Sequence, residues 1–233
     1  MKTRLNQWLL VAVVSILTAG SATAQIPEND WEILTTEFRE LYRTAQYDRA
    51  VVVAKKALEV AEEGLGPHDP LVATSLNNLA LLYKTQGQNA KAEELFKRSL
   101  TIYEEALGPA HPNVAASLNN LGALYRTQCQ NAKAEPLLRR SLTIWEKALG
   151  PDHPKVALTL NELALLYRTQ NQYHKAEELF KRSLTIYEEA LGPDDPLVAT
   201  SLENMAVLYR DAGRNEEAQA LEKRAVHIRA IRR

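Results

Sequence analysis

Apolar residues recur at helical spacing in two kinds of segment that alternate along the chain. From Pro70, Leu76, Leu79, Ala80, Leu82 and Tyr83 share one helix face; later, Ala92, Leu95, Phe96, Leu100 and Ile102 do the same. A break at Gln86-Gly87-Gln88 separates the two segments, since Gly accepts the left-handed backbone that ends helices. The second segment runs to Leu107 and stops at Gly108-Pro109. The pattern then returns: Leu-Gly-Pro begins at Leu65, Leu107, Leu149 and Leu191, each 42 residues after the last. The spacing predicts units of two helices. Neither helix can bury its apolar stripe within one unit, so neighbouring units must stack.

Local chemistry sharpens the boundaries. Asp69-Pro70, His111-Pro112, His153-Pro154 and Asp195-Pro196 occupy equivalent slots. Pro suits the first turn of a helix, where its missing N–H would have no helical partner. Asp before it can cap that turn, and His can do so only through a neutral ring nitrogen. Small residues pair across the two helices: Ala80 with Ala92, Gly122 with Ala134, Ala164 with Ala176 and Ala206 with Ala218. Pro136 falls inside a second helix, where it is expected to kink the chain.

Leu79-Ala80-x-x-Tyr83-x-x-x-Gly87, Ala92-x-x-x-Phe96 and the Leu-Gly-Pro-x-x-Pro connector together resemble the tetratricopeptide repeat in its 42-residue, kinesin-light-chain-like form. Four units match, at about 70–107, 112–149, 154–191 and 196–232. A degenerate fifth, about 29–65, carries Leu41-Tyr42, Ala50, Ala57-Leu58 and Leu65 in register after a one-residue deletion. The resemblance implies an all-α, right-handed α-solenoid of about five helix-turn-helix repeats. In the last unit Glu222 replaces Phe96 and Phe180, and Arg229 replaces Tyr103, Trp145 and Tyr187, so the final face reads as a cap. Arg229, Arg232 and Arg233 also suit a helix C-terminus, where cations complement the dipole.

Residues 1–24 are expected to lie outside this array. Lys2 and Arg4 precede an apolar run from Trp8 to Leu17, and Ala22-Thr23-Ala24 follows. That is the layout of a secretory signal peptide, with cleavage before Gln25. The run is shorter than the ~20 residues that span a bilayer, so no stable membrane insertion is expected after cleavage. The array of 25–233 is then exported, periplasmic or secreted. Without Lys2 and Arg4 the balance is 26 basic against 29 acidic residues, which argues against nucleic acid or anionic membrane as partner. Cys129 is the single cysteine, so no disulfide closes within the chain, and a Cys129-linked dimer is the remaining option.

Candidate chemistry is sparse. His68, His111, His153, His174 and His227 are spread over successive units, too far apart to converge on one ion. No nucleophile–base pair, phosphate loop or metal motif is present, so no enzyme activity, metal or cofactor is expected. The informative polar residues lie on the first helices. Asn77-Asn78, Asn119-Asn120, Asn161-Glu162 and Glu203-Asn204 recur, and Lys84, Arg126, Arg168 and Arg210 follow seven residues after each pair begins. Leu81, Ala123, Leu165 and Val207 stand between them on the same face. The resemblance places first helices along a concave groove that binds peptides. Asn can grip an extended backbone, the cations can pair with acidic groups, and the apolar strip can take an anchor. The expected role is a scaffold or adaptor for a protein or peptide segment, extended and partly acidic. Glu162 and Glu203 weigh against a simple acidic ligand. The alternative role is a self-associating or spacing component of an envelope or secretion assembly.

Overall fold

The computed structural model describes residues 29–231, and among these every regular element is helical. The proposed signal segment, Arg232 and Arg233 lie outside the described residues. The chain divides into two compact units, Met1–Ala106 and Leu107–Arg233. The first holds α1 (29–43), α2 (Tyr47–Leu65), α3 (Pro70–Thr85) and α4 (Asn89–Leu107). The second holds α5 (Pro112–Thr127), α6 (Asn131–Leu149), α7 (Pro154–Thr169), α8 (Tyr173–Leu191), α9 (Pro196–Asp211) and α10 (Asn215–Ile231). No described helix is long and apolar enough to cross a membrane.

The caps form as their chemistry requires. Asp69 Oδ1 accepts from the Leu71 amide at 2.7 Å, and Asp195 Oδ1 from that of Leu197 at 2.8 Å. His111 and His153 serve through Nδ1, accepting from Asn113 and Lys155 at 3.1 Å each. Second helices end at glycines with φ near 90° and ψ near 160°, as at Gly66 and Gly150. That region is open essentially to Gly alone. Pro136 leaves the span of α6 at 19 residues, the same as α8.

The register of the first unit differs from the expectation. The amides of Ala45 and Gln46 bond the carbonyls of Tyr42 and Leu41, as those of Gly87 and Gln88 bond Lys84 and Tyr83. Leu41 therefore fills the slot of Tyr83, with no deletion. Matching the Leu-Tyr dipeptides by type had shifted the helix by one residue. Leu41 is buried with Phe38, Ala50, Ala54, Leu79 and Leu82, while Tyr42 packs at the edge against Phe38 and Tyr47.

Within each helical pair the small residues sit at the contact. Ala80 and Ala92, like Ala164 and Ala176, are fully buried beside Phe96 and Phe180 respectively. In α5 and α6 the pair differs: a Cβ on Gly122 would lie 2.8 Å from Leu138 Cγ, in the slot of the two Phe residues. A buried Ser ties each internal pair together. Ser99, Ser141 and Ser183 donate to the carbonyls of Ala73, Ala115 and Ala157 at 2.8, 2.7 and 2.8 Å.

In the second unit α7 packs on both α5 and α6, and α9 on both α7 and α8. Polar groups stitch these junctions. Tyr167 Oη donates to Glu135, and Tyr209 Oη to Glu177, at 2.7 and 2.9 Å. Lys155 lies over the Trp145 ring and Arg182 pairs with Glu146. In α10 the equivalent positions no longer offer such groups. Arg229 turns back to Thr200 and Glu203, and Glu222 pairs with Arg210. The substitutions thus bind α10 to α9.

Candidate binding face of the first helices

First helices are packed by second helices along one side and by the neighbouring first helix along another. What remains is a stripe at helical spacing, and it carries the residues singled out above. In the first unit Asn77 is half-buried and donates Nδ2 to Ser99 Oγ at 2.9 Å. This amide is committed to holding α3 against α4. Asn78, Leu81 and Lys84 are half-buried on the same helix.

In the second unit the amides occupy two kinds of environment. Asn119 is only 6% exposed, and its Oδ1 has no hydrogen-bond partner. Asn120, Asn161 and Asn204 are half-buried, and Asn204 Nδ2 donates to Asn161 Oδ1 at 3.2 Å. The fold therefore joins two members of the predicted ladder directly across α7 and α9. Glu162 holds the slot of Asn204 one repeat earlier. A carboxylate cannot donate, so Glu162 offers Asn119 Oδ1 no bond like the one Asn161 Oδ1 receives from Asn204.

Each ladder cation of the second unit, Arg126, Arg168 and Arg210, already has a carboxylate. Arg126 Nε lies 2.8 Å from Glu162 Oε2, with side chains 18% and 16% exposed. Arg168 Nε approaches Asp211 at 3.5 Å, and Arg210 Nη2 approaches Glu222 at 2.5 Å. Each Arg reaches a partner on another helix, so the basic ladder also fastens helix to helix. Glu162 has a second electrostatic effect. Burial foremost, and then the charges of Glu162 and Asp195, push the Tyr187 hydroxyl up to about 12.

The apolar strip is graded. Ala123 is buried, Leu165 is half-buried and Val207 is 37% exposed. Leu158, seven residues before Leu165 on α7, is 43% exposed and was not singled out by the sequence. It stands where Thr74, Ala116 and Thr200 stand elsewhere, and only that departure could have marked it. Ser99, Ser141 and Ser183 were likewise missed; their 42-residue recurrence between apolar positions was the available signal. Among the described residues no group of three or more His, Cys, Asp or Glu could hold a metal ion. Cys129 is exposed on the turn between α5 and α6.

The arrangement offers amides, short aliphatic side chains and neutralised ion pairs. Comparison with known proteins agrees on the architecture. The tetratricopeptide repeat profile matches at residues 41–105, 86–144, 113–189 and 173–230. No curated protein matches the sequence. BtubC (BKLC) from P. vanneervenii is 25% identical, with TM-score 0.73 over 99% of this chain and 92% of that one. A Podosopora anserina protein with nearly identical TPR-like repeats, described as of kinesin-light-chain type, is 26% identical. Its TM-score is 0.66, covering 91% of this chain and 98% of that one. PilF from Pseudomonas aeruginosa, at 19% identity and TM-score 0.61 over 86% and 77% of the two chains, shares the fold alone. The repeat length, the caps and these likenesses converge: the chain belongs to the tetratricopeptide repeat family, in its kinesin-light-chain-like form.

Proposed function

We propose that the protein is an exported, non-enzymatic scaffold that holds an extended segment of another protein along its first helices. The observation that carries this reading is the repeated stripe of the second unit. There Asn120, Leu165 and Val207 remain open to solvent in part, on helices whose other sides are packed. Half-exposed amides can bond a peptide backbone in either sense, and the aliphatic groups can bury an anchor. Family membership supports protein binding in general, since tetratricopeptide arrays are interaction scaffolds. Export rests on the three-part segment that ends at Ala24.

The test avoids the arginines, because Arg126→Glu would set two carboxylates together and disturb the fold. Leu165→Glu with Val207→Glu changes the stripe at one half-buried and one exposed position. The double variant is expected to lose capture of the partner by at least tenfold, the effect of removing ~1.4 kcal/mol. Its helical circular dichroism should stay unchanged. Undiminished capture would refute binding along this face. The exported chain should also begin at Gln25 by mass spectrometry, and an uncleaved terminus would remove the argument for export.

A further inference from the structure

On the first helices of the second unit the three arginines of the basic ladder are each paired with a carboxylate. Arg126 is held by Glu162, Arg168 by Asp211 and Arg210 by Glu222. A fourth carboxylate on the face, Glu203, holds Arg229. Between these pairs lie aliphatic groups: Leu158, 43% exposed, Leu165 and, on α9, Val207, 37% exposed. Leu158 and Leu165 are seven residues apart on α7 and so share a side of it. Val207 stands in the slot of Leu165, on a helix that α7 contacts directly. The bond from Asn204 to Asn161 ties α7 and α9 together at this strip.

Glu162 is the residue that sets the character of the face. Where Asn204 stands one repeat later, the amide both bonds its neighbour and leaves no charge behind. Glu162 gives up that bond, leaving Asn119 Oδ1 unpartnered, and neutralises Arg126 instead. Both members of the pair are largely removed from water, where a pair is less screened than on an open surface. An acidic segment would have to displace Glu162 from Arg126 and then lie beside its carboxylate. An uncharged segment meets neither obstacle.

We infer that this face selects an extended, uncharged segment anchored by an aliphatic or aromatic side chain, and that Glu162 turns acidic segments away. The inference rests on the reading that the face holds a peptide at all. Random peptides displayed as a library, selected at low salt on the full chain and on its Glu162→Gln variant, test both. The native chain is expected to enrich peptides of near-zero net charge that carry a large apolar residue. Glu162→Gln supplies a donor for Asn119 and frees Arg126, so acidic peptides should gain about tenfold, a gain that shrinks as salt is raised. Glu162→Asn, copying Asn204, should shift selection the same way if the Gln variant misfolds. Enrichment of Asp- and Glu-rich peptides by the native chain would overturn the selectivity and leave peptide binding standing. No gain of acidic peptides in either folded variant would overturn the role of Glu162. Absence of any enrichment, or enrichment untouched by Leu165→Glu with Val207→Glu, would overturn the binding face itself.

Discussion

Two glycine slots recur in every repeat, and they tolerate substitution differently for a conformational reason. The slot ending each second helix has φ near 90° and ψ near 160° at Gly66, Gly150 and Gly192, a region that a Cβ makes inaccessible. All four copies are Gly. The slot between paired helices is an ordinary left-handed turn, with Gly87 and Gly213 at φ 73° and 78°. Ala45, Cys129 and Asn171 adopt the same turn at φ 56–58°. A side chain there costs about 1–2 kcal/mol, less for Asn. Cys129→Gly is therefore expected to raise stability by about 1 kcal/mol, read as a higher urea midpoint at unchanged slope; an unchanged or lower midpoint would show that the turn is not strained. The same variant removes the only thiol, so a dimer band on non-reducing gels that survives the substitution cannot be a Cys129 disulfide.

Helix pairing is a matter of matched volumes. Fully buried Ala80 and Phe96 have equivalents in Ala164 and Phe180, but the same slots in α5 and α6 hold Gly122 and Leu138, which meet closely. A Cβ at position 122 would lie 2.8 Å from both Cγ and Cδ2 of Leu138, so only a residue without Cβ leaves room for this Leu. Gly122→Ala should gain helix propensity of about 1 kcal/mol yet lose about 1–3 kcal/mol to overpacking, giving a lower melting temperature. Adding Leu138→Phe restores the pair found in the other repeats, and the double variant should melt at or above the native temperature. A stabilised Gly122→Ala single variant would contradict the close contact. The helices themselves were legible from their 3.6-residue period and caps. The buried Ser ties were harder to read, because Ser is ordinarily exposed and only the 42-residue recurrence of Ser99, Ser141 and Ser183 marked them.

In the second unit the junctions between successive repeats are partly electrostatic. Glu177 on α8 accepts from Tyr209 on α9, from Arg214, and pairs with Lys181. Burial pushes its carboxyl up, but the bonds from Lys181, Arg214 and Tyr209 outweigh that and bring it down from the ordinary 4.5 to about 2. A depressed carboxyl contributes stability above pH 4.5 that is lost as pH falls through 4.5 toward 2. The native melting temperature should drop across that window, and Glu177→Gln, already lower near neutrality, should drop less. Parallel acid profiles for the two proteins would remove Glu177 from the acid response.

The sequence by itself determined the repeat, the helix boundaries, the caps and the family, because each follows from spacing and from backbone preferences that act within a few residues. Even the amide, basic and apolar ladders could be read from it, since helical geometry places residues seven apart on one side. What those ladders touch was decided only by tertiary structure. Arg126 and Glu162 are 36 residues apart, and Asn161 and Asn204 are 43 apart. Only the stacking of one helix on the next brings them within bonding distance. In sequence Arg126, Arg168 and Arg210 read as free cations awaiting an acidic partner; in the fold they are already paired, and the open ground between them is apolar. Charge on a chain is fixed by composition, but charge available to a ligand depends on which neighbours the packing supplies.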